Sequence, residues 1–484
     1  MAALVNAHAP LLIVVAPLAG AAAALACANA RLSWILCTLA AGFGVAAGLV
    51  TASQIWGGGA NHVLNSELPL LIDPLGASSA ALVMLVGLLV ALMAGGLLQA
   101  FPGQRGSFAM CVLSLTLAGW VGASLSGDLM VMIVAVECAW LSGIGLMALD
   151  AGGSRRALHG AVRMLSEGGV ATLLMVLGAG FLAASVGSTR FMALATAPVA
   201  SPDAANVGIV LLIIGLAFKA GAAPLNAWLG AALGGGGGLA ATAVGALGVA
   251  GALAVLLRVA SFGFGAPQLA DGVGSVMVLV GAASVIVGSV QAIGARNLRR
   301  MVAYAGVAQL GCVVLSASLG SPAGVAAALV QLVALCAAAL AFYAGLAVVG
   351  GGSYEALDGL ARRAPLTSAA MTAGALSLMG APLTLGFLGR WRMIEAGVGA
   401  GWWWAAAAVI ATSLAAVIYG GRVVERLYFR KANAASAMTA DPWRFAVAPA
   451  LVVSIAAIAQ GIEPSMILRA ADIAAGAVGA AHAP

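Results

Sequence analysis

Residues 209–233 read IVLLIIGLAFKAGAAPLNAWLGAAL, and the reading of this stretch decides the fold. Lys219 stands near its middle with ten uncharged residues before it, and Gly221-Ala222-Ala223-Pro224 follows at once. A run of this length and apolarity is enough to cross a bilayer, which takes about 20 residues. A cation at that depth costs about 3 kcal/mol on insertion scales, so intramembrane lysines mark ion or proton paths. Gly221 and Pro224 interrupt the helix, and the freed carbonyls are tolerable only where protein or a watery cavity satisfies them. The stretch therefore predicts a broken membrane helix carrying a buried, titratable amine. A lysine snorkelling to the interface is the alternative, but snorkelling belongs to helix ends and Lys219 is mid-segment.

The rest of the chain agrees with a membrane setting. It is 63% hydrophobic and 7% charged over 484 residues, with a mean hydropathy of +1.11. Apolar segments bounded by polar residues or Gly/Pro fall at about 9–29, 33–56, 76–98, 107–126, 129–149, 160–186, 206–231, 239–262, 272–295, 300–319, 323–350, 367–395, 402–425 and 444–465. This predicts an all-α integral membrane protein with about fourteen transmembrane helices. No hydrophilic piece is long enough to hold a soluble core. The N-terminus, MAALVNAHAP, lacks the basic region of a signal peptide, so the first apolar run is expected to stay as a helix.

Charge placement fixes an orientation. Fifteen basic residues, from Arg31 through Arg444, lie in loops after odd-numbered spans, against Arg190, Arg258 and Arg469 on the other side. The positive-inside rule then puts the odd-to-even loops in the cytoplasm and both termini on the non-cytoplasmic side. The net charge of +6 is thus a topology signal. No basic run with interleaved aromatics suggests nucleic acid.

A partial repeat is also legible. Span seven breaks at Gly221–Pro224 and span twelve at Gly380-Ala381-Pro382, and each break has a basic residue nearby, Lys219 and Arg390. Five spans separate them, an odd number, so spans 4–8 and 9–13 would form two inverted five-helix repeats. Paired interrupted helices point to a transport site. The expected division is residues 1–106 for three N-terminal helices, 107–262 and 272–430 for the repeats, and 444–465 for helix fourteen.

The acidic counterpart of Lys219 is Glu137, which follows eight apolar residues after Asp128. A carboxylate and an amine sharing a low-dielectric region favour each other's charged forms while desolvation opposes both. That balance leaves such a pair able to exchange protons; a purely structural ion pair is the alternative. Glu167 lies four residues after Arg163, the spacing of a local helical salt bridge, with a relay role as the second option. Arg390 stays protonated, so it is expected to gate or hold charge, and Gln309 could orient water. The four histidines fall outside the spans, and the six cysteines read as buried structural thiols. Gly234–Gly238, five consecutive glycines, read as a flexible loop without the Lys-Ser/Thr ending of a phosphate-binding loop. No nucleophile constellation or metal-ligand cluster is legible, so no catalytic residue and no metal site is predicted.

These residues carry a family resemblance. FKAGAAPLNAWL (218–229), RNLRRMVAYAGVAQLG (296–311), LDGLARRAP (357–365), LSLMGAPLTLGFLGRW (376–391) and IYGGRVVERLYF (418–429) resemble, in order, segments of the antiporter-like subunits of respiratory complex I. The same superfamily includes the large subunits of multi-subunit sodium/proton antiporters and of membrane-bound energy-converting hydrogenases. Glu137 resembles the family's fifth-helix glutamate and Lys219 its seventh-helix lysine.

The resemblance implies fourteen helices with inverted repeats and proton translocation, or Na+ translocation, along buried charges. It also implies a bacterial inner membrane location and other membrane subunits of a redox complex as partners. The subunit itself would bind no redox cofactor. The departures are specific. Family members carry titratable groups where this chain has Ala250, Val333 and Ala337, and histidines where it has Gln309 and Asn226. Arg390 replaces their lysine or glutamate. A copy of the fold that has lost conduction is a further expectation, alongside an antiporter or hydrogenase subunit.

Overall fold

The computed structural model describes residues 2–56, 62–64, 69–101, 103–150, 154–349, 352–432 and 447–480. Helices follow one another with little between them. The first half holds α1 (Ala2–Ala26), α2 (Ala30–Trp56), α3 (Pro74–Ala94), α4 (Gln104–Leu125), α5 (Leu129–Leu149), α6 (Arg155–Val186), α7 (Phe191–Thr196), α8 (Pro202–Ala220) and α9 (Ala227–Gly235). Next come α10 (Gly238–Thr242) and α11 (Val249–Gly265), joined by a π-helical turn over Ala243–Gly248. The second half holds α12 (Ala270–Gly294), α13 (Leu298–Ala317), α14 (Pro322–Val349), α15 (Leu360–Arg363), α16 (Pro365–Met379), α17 (Leu385–Gly399), α18 (Trp403–Tyr428), α19 (Ala448–Ile462) and α20 (Ser465–Ala480). A small antiparallel hairpin, β1 (His62–Leu64) with β2 (Leu70–Ile72), is an element that the all-α expectation did not contain.

Twelve of these helices are long and apolar enough to cross a membrane, or thirteen if the bent pair α19–α20 counts as one. The difference from fourteen has a physical cause. Expected span twelve is split into α16 and α17, each only 15 residues long. Expected span fourteen is the 15-residue α19, after which the chain turns by 86° into α20. Local sequence signals set many of the ends. Asp128 caps α5 by accepting from the Met130 and Val131 N–H groups at 2.8 and 3.3 Å, and Asn297 caps α13 through the Arg300 N–H.

Helices α4, α11, α13 and α14 are buried over most of their length and form the interior, whereas α2, α6 and α18 keep a bare apolar face. Leu39, Leu173 and Leu414 are all more than half exposed there, as are Val134 of α5 and Leu279 and Val290 of α12. Without water to drive burial, such helices associate by close approach of small residues. The α12–α13 seam does this, with Gly281 and Gly288 set directly against the backbone of Leu315 and Ala308.

Four expectations change. Arg258 is not a loop residue: it lies in α11 and is buried, leaving Arg190 and Arg469 on that side of the charge count. Cys138 is exposed on α5 and Cys27 only half-buried, while Cys37, Cys111, Cys312 and Cys336 are buried as expected. His8 and His159 fall inside the ends of α1 and α6; His482 lies outside the described residues. The five glycines are not an open loop, because Gly234–Gly235 end α9 and Gly238 starts α10. Asp150 holds this corner by accepting from the Ala240 N–H at 2.9 Å, and Arg299 donates to the Gly236 carbonyl. Burial pushes the Asp150 carboxyl above the usual carboxylate range, against the lowering effects of the Ala240 N–H and the Arg299 charge.

A Cβ added at Gly288 would overlap the Ala308 backbone nitrogen, which cannot rotate aside. Gly288→Val should destabilise the subunit by about 1–3 kcal/mol, the usual cost of overpacking. It should lower the melting temperature in detergent relative to Gly294→Val, whose Cβ meets open space. Equal melting of the two variants would contradict the close-packed seam.

Candidate functional site

The first break positions the lysine. Helix α8 ends at Gly221, whose φ of +82° is left-handed and whose N–H returns to the Ala217 and Phe218 carbonyls. The Ala222 N–H also bonds Ala217 O at 2.9 Å. Trp228, at the start of α9, donates its indole N–H to Phe218 O at 3.0 Å. Ser284 of α12 accepts from the Ala223 N–H at 2.9 Å. The polar groups of the interruption are thus met by protein, as a membrane interior demands. Lys219 sits in the last turn of α8, where the negative end of the helix dipole favours a cation.

The Lys219 ammonium is fully buried and 2.7 Å from Glu137 Oε1. It donates to Thr172 Oγ1 at 3.1 Å, and that hydroxyl donates onward to Glu137 Oε1 at 2.5 Å. The ammonium also lies 4.4 Å from the Trp140 ring centroid, a cation–π contact. Trp140 is itself set edge-on to Trp228, with centroids 4.8 Å apart. Carboxylate, hydroxyl and ammonium form a closed triangle from α5, α6 and α8. Within it a proton can pass directly or through Thr172. Glu137 is the open corner, with its side chain 22% exposed against 0% for Lys219.

The second break repeats the backbone and changes the chemistry. Helix α16 ends at Gly380, also left-handed with φ of +73°, and its N–H returns to Leu376 and Ser377. The carbonyl left at Leu378 accepts from Arg390, on the next half-helix. Arg390 also donates to Ser413 Oγ at 3.0 Å and to Gln309 Oε1 at 3.1 Å. Gln331 donates to the same Gln309 oxygen at 2.7 Å. Among the described residues no carboxylate pairs with Arg390, so its partners are neutral dipoles. Arg390 here caps the broken helix, donating to a last-turn carbonyl as Trp228 does at the first break.

Between the two clusters the chain is apolar. A void of about 20 Å³ lies there, lined by Leu229, Val249, Leu310, Leu335, Phe342 and Tyr343 among others. Ala250 and Ala337 are buried and Val333 is half-buried. Glu167 stays with Arg163 as the expected i, i+4 ion pair at the edge of α6, and does not join the Lys219 triangle.

Sequence reasoning missed Thr172, Trp140, Gln331 and Ser413. The first could have been suspected as a lone hydroxyl in the apolar run following Gly168-Gly169. It also missed a second buried ion pair: Arg258 meets Asp73 Oδ2 at 3.0 Å and donates to Leu71 O at 2.6 Å. Asp73 was legible only as an Asp-Pro helix start; its side chain caps α3.

Fold and site together describe a polytopic helical membrane protein with two broken helices and a buried acid–base pair at the first of them. A model of the membrane domain shared by NADH:quinone oxidoreductase and Mrp antiporters matches residues 126–415. The NADH-quinone oxidoreductase subunit N of Desulforudis audaxviator is 31% identical over 453 residues, covering 88% of this chain and 87% of its own. Among solved structures, a chain of the Mrp complex from a Dietzia species superposes with a TM-score of 0.86 at 23% identity, covering 97% of each chain. A chain of respiratory complex I from Thermus thermophilus gives 0.78 at 24% identity, covering 95% of this chain and 98% of its own. The chain belongs to the NADH:quinone oxidoreductase/Mrp antiporter membrane family.

Thr172→Val keeps the shape of the side chain and deletes the bridging hydroxyl. A hydrogen bond to charged groups is worth about 1.5–3 kcal/mol, so proton flux in proteoliposomes should fall about tenfold or more, with Thr172→Ser restoring it. Flux at the unmutated level in the Val variant would remove the hydroxyl from the path.

Proposed function

We propose that this chain is the proton-translocating, antiporter-like membrane subunit of a complex-I-type redox-driven pump, a NADH-quinone oxidoreductase of a bacterial plasma membrane. Glu137 and Lys219 exchange the translocated proton. The observation that carries the reading is the Glu137–Thr172–Lys219 triangle at the end of a broken helix. Support for the redox partner comes from the relative named subunit N, which matches most of the chain. An Mrp-type sodium/proton antiporter subunit is the second reading, favoured by the Dietzia likeness in fold. Hydrogenase membership and a non-conducting copy are further outcomes that the tests below separate.

Other membrane subunits complete the site. Glu137 is partly exposed on a face that also bares Val134 and Leu141. A carboxylate facing lipid is costly, so a neighbouring subunit is the natural cover. Both termini are assigned to the non-cytoplasmic side on the placement of basic residues. Residues 107–262 and 272–430 are assigned to inverted repeats, supported by the matching breaks at Gly221 with Pro224 and Gly380 with Pro382. In both, a half-helix packs on the preceding long helix, α8 on α6 and α16 on α14.

Lys219 is the cation of the triangle and Glu137 its proton donor and acceptor. Lys219→Ala and Glu137→Gln should therefore each cut coupled proton pumping at least tenfold while the complex still assembles. Pumping at the unmutated level in both would remove the pair from the pathway. Redox subunits in the purified complex, as against small antiporter subunits, decide between the first two readings.

A further inference from the structure

A proton leaving Lys219 toward the second half meets the apolar gap between the two clusters. Voids with a predominantly apolar lining, such as the one there, stay dry, so that direction offers no chain of waters. The first half offers another. A void of about 10 Å³, room for one water, adjoins Lys219 and is walled by Thr116, Trp120 and Gly248. Thr116, Trp120 and Ser124 follow one another at i, i+4 and i+8 on α4, so they share one face. The Ser124 hydroxyl donates to Trp120 O at 2.8 Å, and the Ser124 carbonyl accepts from Arg258. On the facing helix, Gly251 leaves room for the Trp120 ring, and Arg258 lies two turns further along. The face therefore runs from the Lys219 void to the Arg258–Asp73 ion pair.

Beyond that pair lies a cavity of about 430 Å³ between α3, α7, α11 and α20, with Asp73, Arg258 and Ser261 in its wall. At ~30 Å³ per water it holds roughly a dozen. Two other wall residues, Met192 and Thr196 of α7, are exposed, so the cavity reaches the surface. Its lining comes from the ends of helices on the side of the chain's termini.

We propose that this cavity is a water-filled exit for protons from Lys219, with Trp120 closing the seam and Asp73 as the release carboxylate. The inference rests on the Glu137–Lys219 reading above. When Trp120 moves, the Lys219 ammonium gives one N–H proton to water in the seam and becomes the neutral amine. The proton travels along waters bonded to Thr116 and Ser124 and adds to an Asp73 oxygen. Protonation neutralises the carboxylate and loosens its bond to Arg258, which keeps its charge. Asp73 then passes the proton to cavity water and returns to the carboxylate. Each transfer moves one proton and no electrons.

The test uses the assembled complex in proteoliposomes, with dye-monitored proton flux. The double variant Asp73→Asn/Arg258→Gln removes both charges, so neither is left buried alone. It should fall at least tenfold, to the level of Lys219→Ala. Unmutated flux in the double variant, with flux lost in Lys219→Ala, overturns the exit and leaves the relay standing. Unmutated flux in Lys219→Ala overturns both. A second measurement keeps the Asp73–Arg258 pair intact. In Ser261→Cys, a membrane-impermeant cationic thiol reagent added on the side of the termini should label the introduced thiol. Flux should drop several-fold relative to the same preparation before labelling, with the unmutated complex as the background for the native cysteines. No labelling, or labelling with unchanged flux, overturns the exit.

Discussion

Breaking a helix inside a membrane exposes backbone carbonyls where there is no water to receive them, and the rest of this site depends on how that cost is met. Both breaks use the same backbone device, a left-handed glycine ending the half-helix. They differ in the side chain that donates to a carbonyl of the last turn. At the first break it is the neutral Trp228 indole. At the second it is the Arg390 guanidinium. An indole cap leaves the nearby cation free for other partners, and Lys219 takes Glu137 and Thr172. A guanidinium bonded to a carbonyl, an amide and a hydroxyl has no acid as partner among the described residues.

That difference separates two arrangements that share one backbone geometry. A buried ion pair is expensive to desolvate and gives little net stability, so its retention at the first break fits a use other than holding helices together. A permanently protonated arginine surrounded by neutral dipoles holds charge without exchanging it. The two breaks can therefore match in backbone while only the first holds an acid–base pair.

Much of this was legible in the chain. The apolar lengths, the Gly-x-x-Pro interruption and the lone charge within it are properties of local sequence, and the fold follows from them. Glu137 was legible because a carboxylate has few tolerable places in an apolar run. What stayed hidden depends on register between distant helices. Arg258 and Asp73 lie 185 positions apart in number, and nothing local says that the ends of α3 and α11 meet. Thr172 is ordinary in a membrane helix until α5 and α8 bring Glu137 and Lys219 to its hydroxyl. Span twelve was legible as broken, but its halves and the bend after α19 fall below what length alone recognises as a crossing.

The second ion pair bears on how such a fold can vary. If the path from Lys219 must cross the centre, then Ala250, Val333 and Ala337 end it, because a void with so apolar a lining does not hold water. If the path turns along α4 to Asp73, those substitutions are neutral, since packing the centre tightly costs nothing in transport. It even helps, because a dry centre stops the proton from leaking between half-helices. Loss of titratable groups from one half is then a consequence of having a second acid–base pair in the other. The constraint falls on Trp120, which must seal the seam at rest, and on Gly251, which gives its ring the space to sit.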